Sequence, residues 1–228
     1  MTLVRPPDGG GTVVERRSPQ IPRHDARLGA KKLIMFDFDG VIADSWSVQK
    51  PVFVDAMRAH GLHDYATADA FNDIMDANWF EGLSAAGVPE HVITEMDATW
   101  AAQTPALFPG MPEVIARLAQ AHVVLVITSA GTDGVRRILE DHGVEGVTAV
   151  LGGDLEPSKV RKIRDAQAQY GERLEPWYVC DTVGDVLEAR EAGAAVIGTA
   201  WGWHGEERLR RSQPDWIAQH PRDLLELL

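Results

Sequence analysis

Two aspartates one residue apart, Asp37 and Asp39 in the run Phe36-Asp37-Phe38-Asp39-Gly40-Val41-Ile42-Ala43-Asp44-Ser45, stand at the end of an apolar stretch. A carboxylate can act as a nucleophile, move a proton, or bind a hard cation, and two in one short loop allow a division of these tasks. Burying them is costly unless each finds a partner. In a parallel sheet, ligands bind beyond the carboxyl ends of the strands, which is where this pair falls. A lone D-x-D-G fits equally well with a turn in which both aspartates accept backbone N–H groups, so the decision rests on what accompanies it.

Further polar residues follow other apolar runs. Thr128 and Ser129 close Val-Val-Leu-Val-Ile, Lys159 opens a helical stretch after Glu156-Pro157-Ser158, and Asp181 and Asp185 follow Trp177 to Cys180. Each has an ordinary alternative. A threonine at a strand end commonly bonds locally, and Asp181 or Thr182 can simply cap the next helix. Lys162, three residues beyond Lys159, competes with it for any role at a site. Asp181 and Asp185, four apart across a loop-to-helix turn, are expected close together near the positive end of that helix.

The elements that must position these groups alternate. Short apolar runs at Leu33 to Phe38, Val123 to Thr128, Ala149 to Leu151, Trp177 to Cys180 and Ala195 to Ile197 read as buried strands. Helical patterns lie between them at Pro112 to Gln120, Asp133 to His142, Ser158 to Tyr170 and Val183 to Ala192, with Gly143, Gly171 and Gly193 past three of their ends. This predicts an α/β protein, a Rossmann-like parallel sheet flanked by helices. From Trp46 to Phe108 no strand is expected, only helical patterns such as Val52, Phe53, Ala56, Met57 and Ala59, then Phe71, Ile74, Met75 and Asn78. An all-helical insertion after the first strand follows. Residues 1–30, with Pro6, Pro7, Gly9 to Gly11, Pro19 and Pro22, read as a flexible tail, and Asp215 to Ala218 followed by Pro221 to Leu228 as a last strand and helix.

Composition narrows the function. The 228 residues include 34 acidic and 22 basic side chains, a formal charge of −12, which disfavours nucleic acid and anionic membranes. No run approaches the ~20 apolar residues of a membrane helix. The single cysteine, Cys180, forms no intramolecular disulfide, and with no leader-like segment apparent the expectation is a cytoplasmic protein.

Taken in order and context, Asp37-Phe38-Asp39-Gly40, Thr128, Lys159 and Asp181-Thr182-Val183-Gly184-Asp185 resemble the four motifs of the haloacid dehalogenase (HAD) superfamily, over about residues 32 to 228. Phosphoglycolate-type phosphatases resemble this core further, including Trp201-Gly202-Trp203-His204. The resemblance implies a HAD-like core of residues 31–45 and 109–228, with a helical cap at 46–108 acting as a lid. It implies Asp37 as a nucleophile that becomes an aspartyl phosphate and Asp39 as general acid and base. Thr128, Lys159, Ser129 and Gly40 would bind phosphate, and Mg²⁺ would sit on Asp37, Asp181 and the Asp39 carbonyl, with Asp185 direct or through water. Asp39 favours phosphoryl transfer over carbon–halogen or phosphonate cleavage, leaving a phosphatase acting on a small phosphorylated metabolite. A phosphomutase and an inactive phosphate-binding or regulatory module are the alternatives. Cys180 departs from the family, which usually has Gly there; a buried thiol beside a carboxylate is expected to be unreactive. Within 46–108, Asp55, Asp64, Asp69, Asp73, Asp76, Glu81, Glu90, Glu95 and Asp97 oppose only Lys50 and Arg58, so a neutral or weakly charged leaving group is expected. Trp201, Trp203 and His204 are expected to pack a loop rather than to touch phosphate.

Overall fold

The computed structural model describes residues 32–170 and 173–228; the expected tail at 1–30 and Gly171 lie outside the described residues. The elements run β1 (Lys32–Phe36), β2 (Ala43–Asp44), α1 (Trp46–Ala59), α2 (Ala68–Ile74), α3 (Trp79–Ala85), α4 (Glu90–Ala101) and β3 (Ala106–Leu107). There follow α5 (Met111–Leu118), β4 (Val123–Ile127), α6 (Thr132–Asp141), β5 (Ala149–Leu151), α7 (Lys159–Tyr170) and β6 (Glu175–Cys180). The chain ends with α8 (Val183–Glu191), β7 (Ala195–Thr199), α9 (Gly205–Ser212), β8 (Trp216–Ala218) and α10 (Leu224–Leu227).

Six strands form one parallel sheet in the order β5-β4-β1-β6-β7-β8. The unbroken apolar runs follow from burial on both faces. Successive residues of β1 point to opposite sides, Leu33 and Met35 into one apolar layer with Ile163 and Ala166 of α7, Ile34 and Phe36 into another with Ile115 of α5 and Val135 of α6. From β1 the chain builds outward to β4 and β5 on one side, then crosses to β6 and continues to β8 on the other. The β1/β6 boundary is therefore where the order of winding reverses, and a crevice opens at such a point beyond the strand ends. Asp37 and Asp181 both emerge there.

Helices α1 to α4 pack around their own apolar cluster, with Phe53, Met57, Phe71, Trp79, Leu83 and Met96 buried in it. No strand was expected between Trp46 and Phe108, yet β3 lies there, paired antiparallel with β2 through Ala43 opposite Leu107 and Asp44 opposite Ala106. Two-residue strands carry no readable period. The ribbon ties together the two ends of the helical segment. Asn78 also departs from expectation: α2 stops at Ile74, and Asn78 instead caps α3, accepting the Phe80 N–H at 3.1 Å. No helix among the described residues is long and apolar enough to cross a membrane.

Candidate active site

β1 hands its last ladder bond to the first aspartate: the Asp37 N–H donates to the Val179 carbonyl at 2.9 Å. The Phe38 carbonyl then accepts from both Ile42 and Ala43 at 2.9 Å, which folds the loop back on itself. Gly40 sits in this turn at φ +73°, and a β-carbon there would come within 2.0 Å of Asp181 Oδ2. Only glycine gives both the backbone conformation and the space. The turn sends the carboxyls different ways. Asp37 Oδ1 accepts the Phe38 N–H at 2.7 Å, whereas Asp39 Oδ1 faces α1 and accepts from Gln49 Nε2 at 2.6 Å.

Asp37, Asp181 and Asp185 each present an oxygen, all within 4.8 Å of one another. Lys159, at the start of α7, puts Nζ 2.8 Å from Asp37 Oδ2 and 2.5 Å from Asp185 Oδ1. The sequence-predicted acids and lysine thus converge, except that the Asp39 carboxyl stands apart from the group of three. Among the two competing lysines, Lys159 reaches the acids, while Lys162 donates to the Thr128 carbonyl at 2.5 Å.

Apart from the half-buried Asp39 these groups are buried, and desolvation acts on all of them, though neighbouring charges and hydrogen bonds reverse its direction at Asp185 and Lys159. Burial pushes Asp37 well above the usual carboxylate range, in spite of the Lys159 ammonium, and Asp185 beside it pushes the same way. Burial also acts to raise Asp185, but Lys159 and hydrogen bonds from its neighbours hold that carboxyl below its ordinary value. Asp181 is pushed up to about 8 by burial, although the Trp203 N–H donates to its Oδ2 at 2.7 Å. Desolvation pushes Asp39 up to about 6. Lys159 resists the desolvation that would lower it because Asp185 and Asp37 hold its proton. Lys162, desolvated and repelled by Lys159, falls to about 8.

Three acids share one ammonium. Asp181 Oδ1 is buried and has no hydrogen-bond partner among the described residues. Buried anions without partners are costly, and three hard oxygen donors in one place suit a divalent cation such as Mg²⁺ or Ca²⁺, not a metal that prefers sulfur or imidazole. The residues present fit such an ion.

Thr128 directly follows β4, with its N–H on the Leu151 carbonyl at 3.1 Å, and its Oγ accepts the Ala130 N–H at 3.1 Å. That acceptor bond leaves the hydroxyl hydrogen to donate. Thr128, Ser129, Lys159 and the acids line a cavity of about 570 Å³, whose other wall includes Gln49, Trp79, Phe80, Asp97 and Trp100. The helical segment therefore faces the acids across this cavity.

Several bonds joining the two parts were not legible in the sequence. Asn78 Nδ2 donates to Glu188 Oε2 at 2.9 Å, and Glu188 Oε1 accepts the Lys159 N–H at 3.1 Å. The Gly184 N–H donates to the Met75 carbonyl at 3.1 Å. Arg208 of α9 bonds Asp76 at 2.6 Å and 2.9 Å and Asp73 at 2.8 Å, so these two acids of the helical segment are paired rather than merely solvated. His204 uses both ring nitrogens: Nδ1 accepts the Val183 N–H at 3.0 Å and Nε2 donates to the Asn72 carbonyl at 3.0 Å. Trp203 packs on Phe71 and Trp46, and Trp201 Nε1 donates to the Val41 carbonyl at 3.2 Å. These three residues pack the loop, as expected. The Cys180 thiol is buried and pushed well above its ordinary range, as expected for an unreactive cysteine.

Residues 34–199 match the family model described as haloacid dehalogenase-like hydrolase. The chain belongs to that family, and the likeness read from its motifs is thereby borne out. Among its relatives are two named phosphoglycolate phosphatase. That of Synechococcus elongatus is 27% identical over 85% of this chain and 95% of its own length, and that of Vibrio parahaemolyticus 28% identical over 86% and 96%. A predicted phosphoglycolate phosphatase from Haemophilus somnus, solved by crystallography, superposes with a TM-score of 0.67 at 24% identity over 86% of this chain and 97% of that one, a likeness of fold.

Proposed function

We propose that this protein is a Mg²⁺-dependent phosphatase that hydrolyses a small organic phosphate monoester through an aspartyl phosphate on Asp37. The observation that carries the reading is Lys159 Nζ lodged between Asp37 and Asp185, with Asp181 Oδ1 beside them lacking a partner. Mg²⁺ would be held by the carboxylates of Asp37, Asp181 and Asp185 and the Asp39 carbonyl; when bound it supplies the positive charge that lets an anionic nucleophile approach an anionic phosphoryl group.

The chain's own groups do the rest. Asp37 attacks phosphorus, so that a carboxyl O–P bond forms as the ester P–O bond breaks, while Asp39 gives its proton to the departing alkoxide. Asp39 then takes a proton from the water that attacks phosphorus, the carboxyl O–P bond breaks, and inorganic phosphate leaves with Asp37 restored. A carboxyl raised to about 6 is suited to both halves of this cycle. Lys159, the Thr128 hydroxyl and the Ser129 N–H hold the phosphoryl oxygens, and Gly40 lets the loop approach Asp181.

Residues 46–108 serve as a cap over a core of 31–45 and 109–228, with the β2/β3 ribbon as its hinge. Closure brings Trp79, Phe80 and Trp100 over the acids and excludes bulk water. The names of the relatives support phosphatase chemistry, Asp39 disfavours carbon–halogen cleavage, and acids at every motif position disfavour a retired binding module. A small phosphorylated metabolite of the cytoplasm is the expected substrate. Hydrolysis of p-nitrophenyl phosphate tests the reading: it should require Mg²⁺ and vanish in Asp37→Asn. Activity that survives chelation or that substitution would overturn it.

A further inference from the structure

The cavity's charge is one-sided. Lys159 is the sole basic residue among those that line it, and that ammonium is already bound by Asp37 and Asp185. Arg137 of α6 reaches the end of α4 without lining the cavity, donating to the Ala101 and Gln103 carbonyls at 3.2 Å and 3.3 Å and lying 3.8 Å from Asp141, so a leaving group bearing its own carboxylate would find no uncommitted counter-charge along the cavity wall. It would meet Asp97 instead. Asp97 lies on α4, exposed to the cavity, and makes no ion pair or hydrogen bond with any described residue. Its carboxyl is pushed up to about 6 by partial desolvation with no cation to offset it.

Aromatic rings line the same cavity as this acid. Trp100 is three residues further along the same helix, hence on the same face, and its ring centroid lies 5.3 Å from that of Trp79. The Trp100 indole is fixed by its Nε1–H, which donates to the Gln49 carbonyl at 3.3 Å, and Phe80 lines the same wall. Indole rings attract cations through the negative face of the π-system, and an unpaired carboxylate does so by charge. Together they describe a receptor for a positively charged group.

Resting on the phosphatase reading above, we propose that the leaving alcohol carries an ammonium group, held by Asp97 against the rings of Trp79 and Trp100, so that the substrate is the phosphate ester of an amino alcohol. Asp97 is then a specificity-determining residue. It takes no part in breaking the P–O bond.

The test compares phosphocholine with its carbon isostere, in which a tert-butyl group replaces the trimethylammonium, using the full chain with Mg²⁺. Shape is kept and only charge changes. Phosphocholine should be preferred by about tenfold in kcat/KM, mainly through KM. Asp97→Asn should bring the two esters to within about twofold of each other, and Asp97→Lys should shift preference toward phosphoglycolate, with circular dichroism verifying that both variants fold. A wild-type ratio at or below unity, a ratio unmoved by Asp97→Asn, or a wild-type preference for phosphoglycolate would overturn the inference while leaving the phosphatase reading intact. Failure to hydrolyse any ester, p-nitrophenyl phosphate included, would remove both.

Discussion

Asp181→Asn should stabilise the metal-free protein while destroying its function. Asp181 has an oxygen within 4.8 Å of oxygens on both Asp37 and Asp185. Burial and the neighbouring Asp185 push the Asp181 carboxyl up to about 8, so at pH 7 the metal-free folded chain holds a proton there that the unfolded carboxyl has released. Taking up that proton costs the folded state about 1.4 kcal/mol for each pKa unit between the unfolded carboxyl and the working pH, at least about 2 kcal/mol in all, a cost that a neutral amide does not bear. Asparagine keeps an oxygen to accept the Trp203 N–H and gains an amide that can donate to a neighbouring carboxylate. A gain of about 2 kcal/mol, or about 5 °C in Tm for a chain of this size, is expected without metal. Wild type should recover the difference when Mg²⁺ is added, by about 2.7 kcal/mol at a hundredfold excess over Kd, whereas the variant should respond little. Thermal unfolding with EDTA and across a Mg²⁺ series reads both effects, alongside p-nitrophenyl phosphate turnover. A variant less stable than wild type in EDTA that still gains stability from Mg²⁺ would refute the reasoning.

Further perturbations separate the remaining roles. Lys159→Met should lower kcat by at least about a hundredfold, because a positive group beside the phosphoryl oxygens is lost; Lys162→Met, whose ammonium reaches the Thr128 carbonyl, should stay within about tenfold of wild type, as steady-state kinetics will show. Gly40→Ala forces a residue at φ +73° and a β-carbon within 2.0 Å of Asp181, so activity should fall by at least about a hundredfold through displacement of that acid, with far-ultraviolet circular dichroism retained. His204 is held below its ordinary pKa, first by burial and then by Arg208. The unfolded chain therefore binds the proton first, and the His204 contribution to stability, full above an unfolded pKa of about 6.5, declines as pH falls below it. Urea unfolding of wild type and His204→Asn from pH 7.5 down to 5 should show their stability difference shrinking, and a difference independent of pH would contradict the assignment.

The strands and the acids at their ends were legible because burial on both faces writes an unbroken apolar run, and a reactive carboxylate must interrupt such a run at its end. Val123–Ile127 and Ala149–Leu151 show the first property, Asp37 and Asp181 the second. What pairs across the chain was not legible. Nothing local marks Asn78 as the partner of Glu188, or Arg208 as the partner of Asp73 and Asp76, since these contacts span more than a hundred residues and involve types common on any surface. Lys159 and Lys162 are equivalent by spacing; the helix phase that turns one to the acids and the other to the Thr128 carbonyl is set by packing against the sheet. Helix α9 escaped notice because, among its charged residues, Leu209 alone supplies a buried apolar side chain.

The nucleophile is the central claim, and trapping it is the most direct test. A single turnover quenched in acid and reduced with borohydride converts an aspartyl phosphate to homoserine, which peptide mass spectrometry locates. The account predicts homoserine at position 37 in wild type, dependent on substrate and Mg²⁺. Homoserine at another aspartate, or hydrolysis with Asp37 never modified, would contradict it.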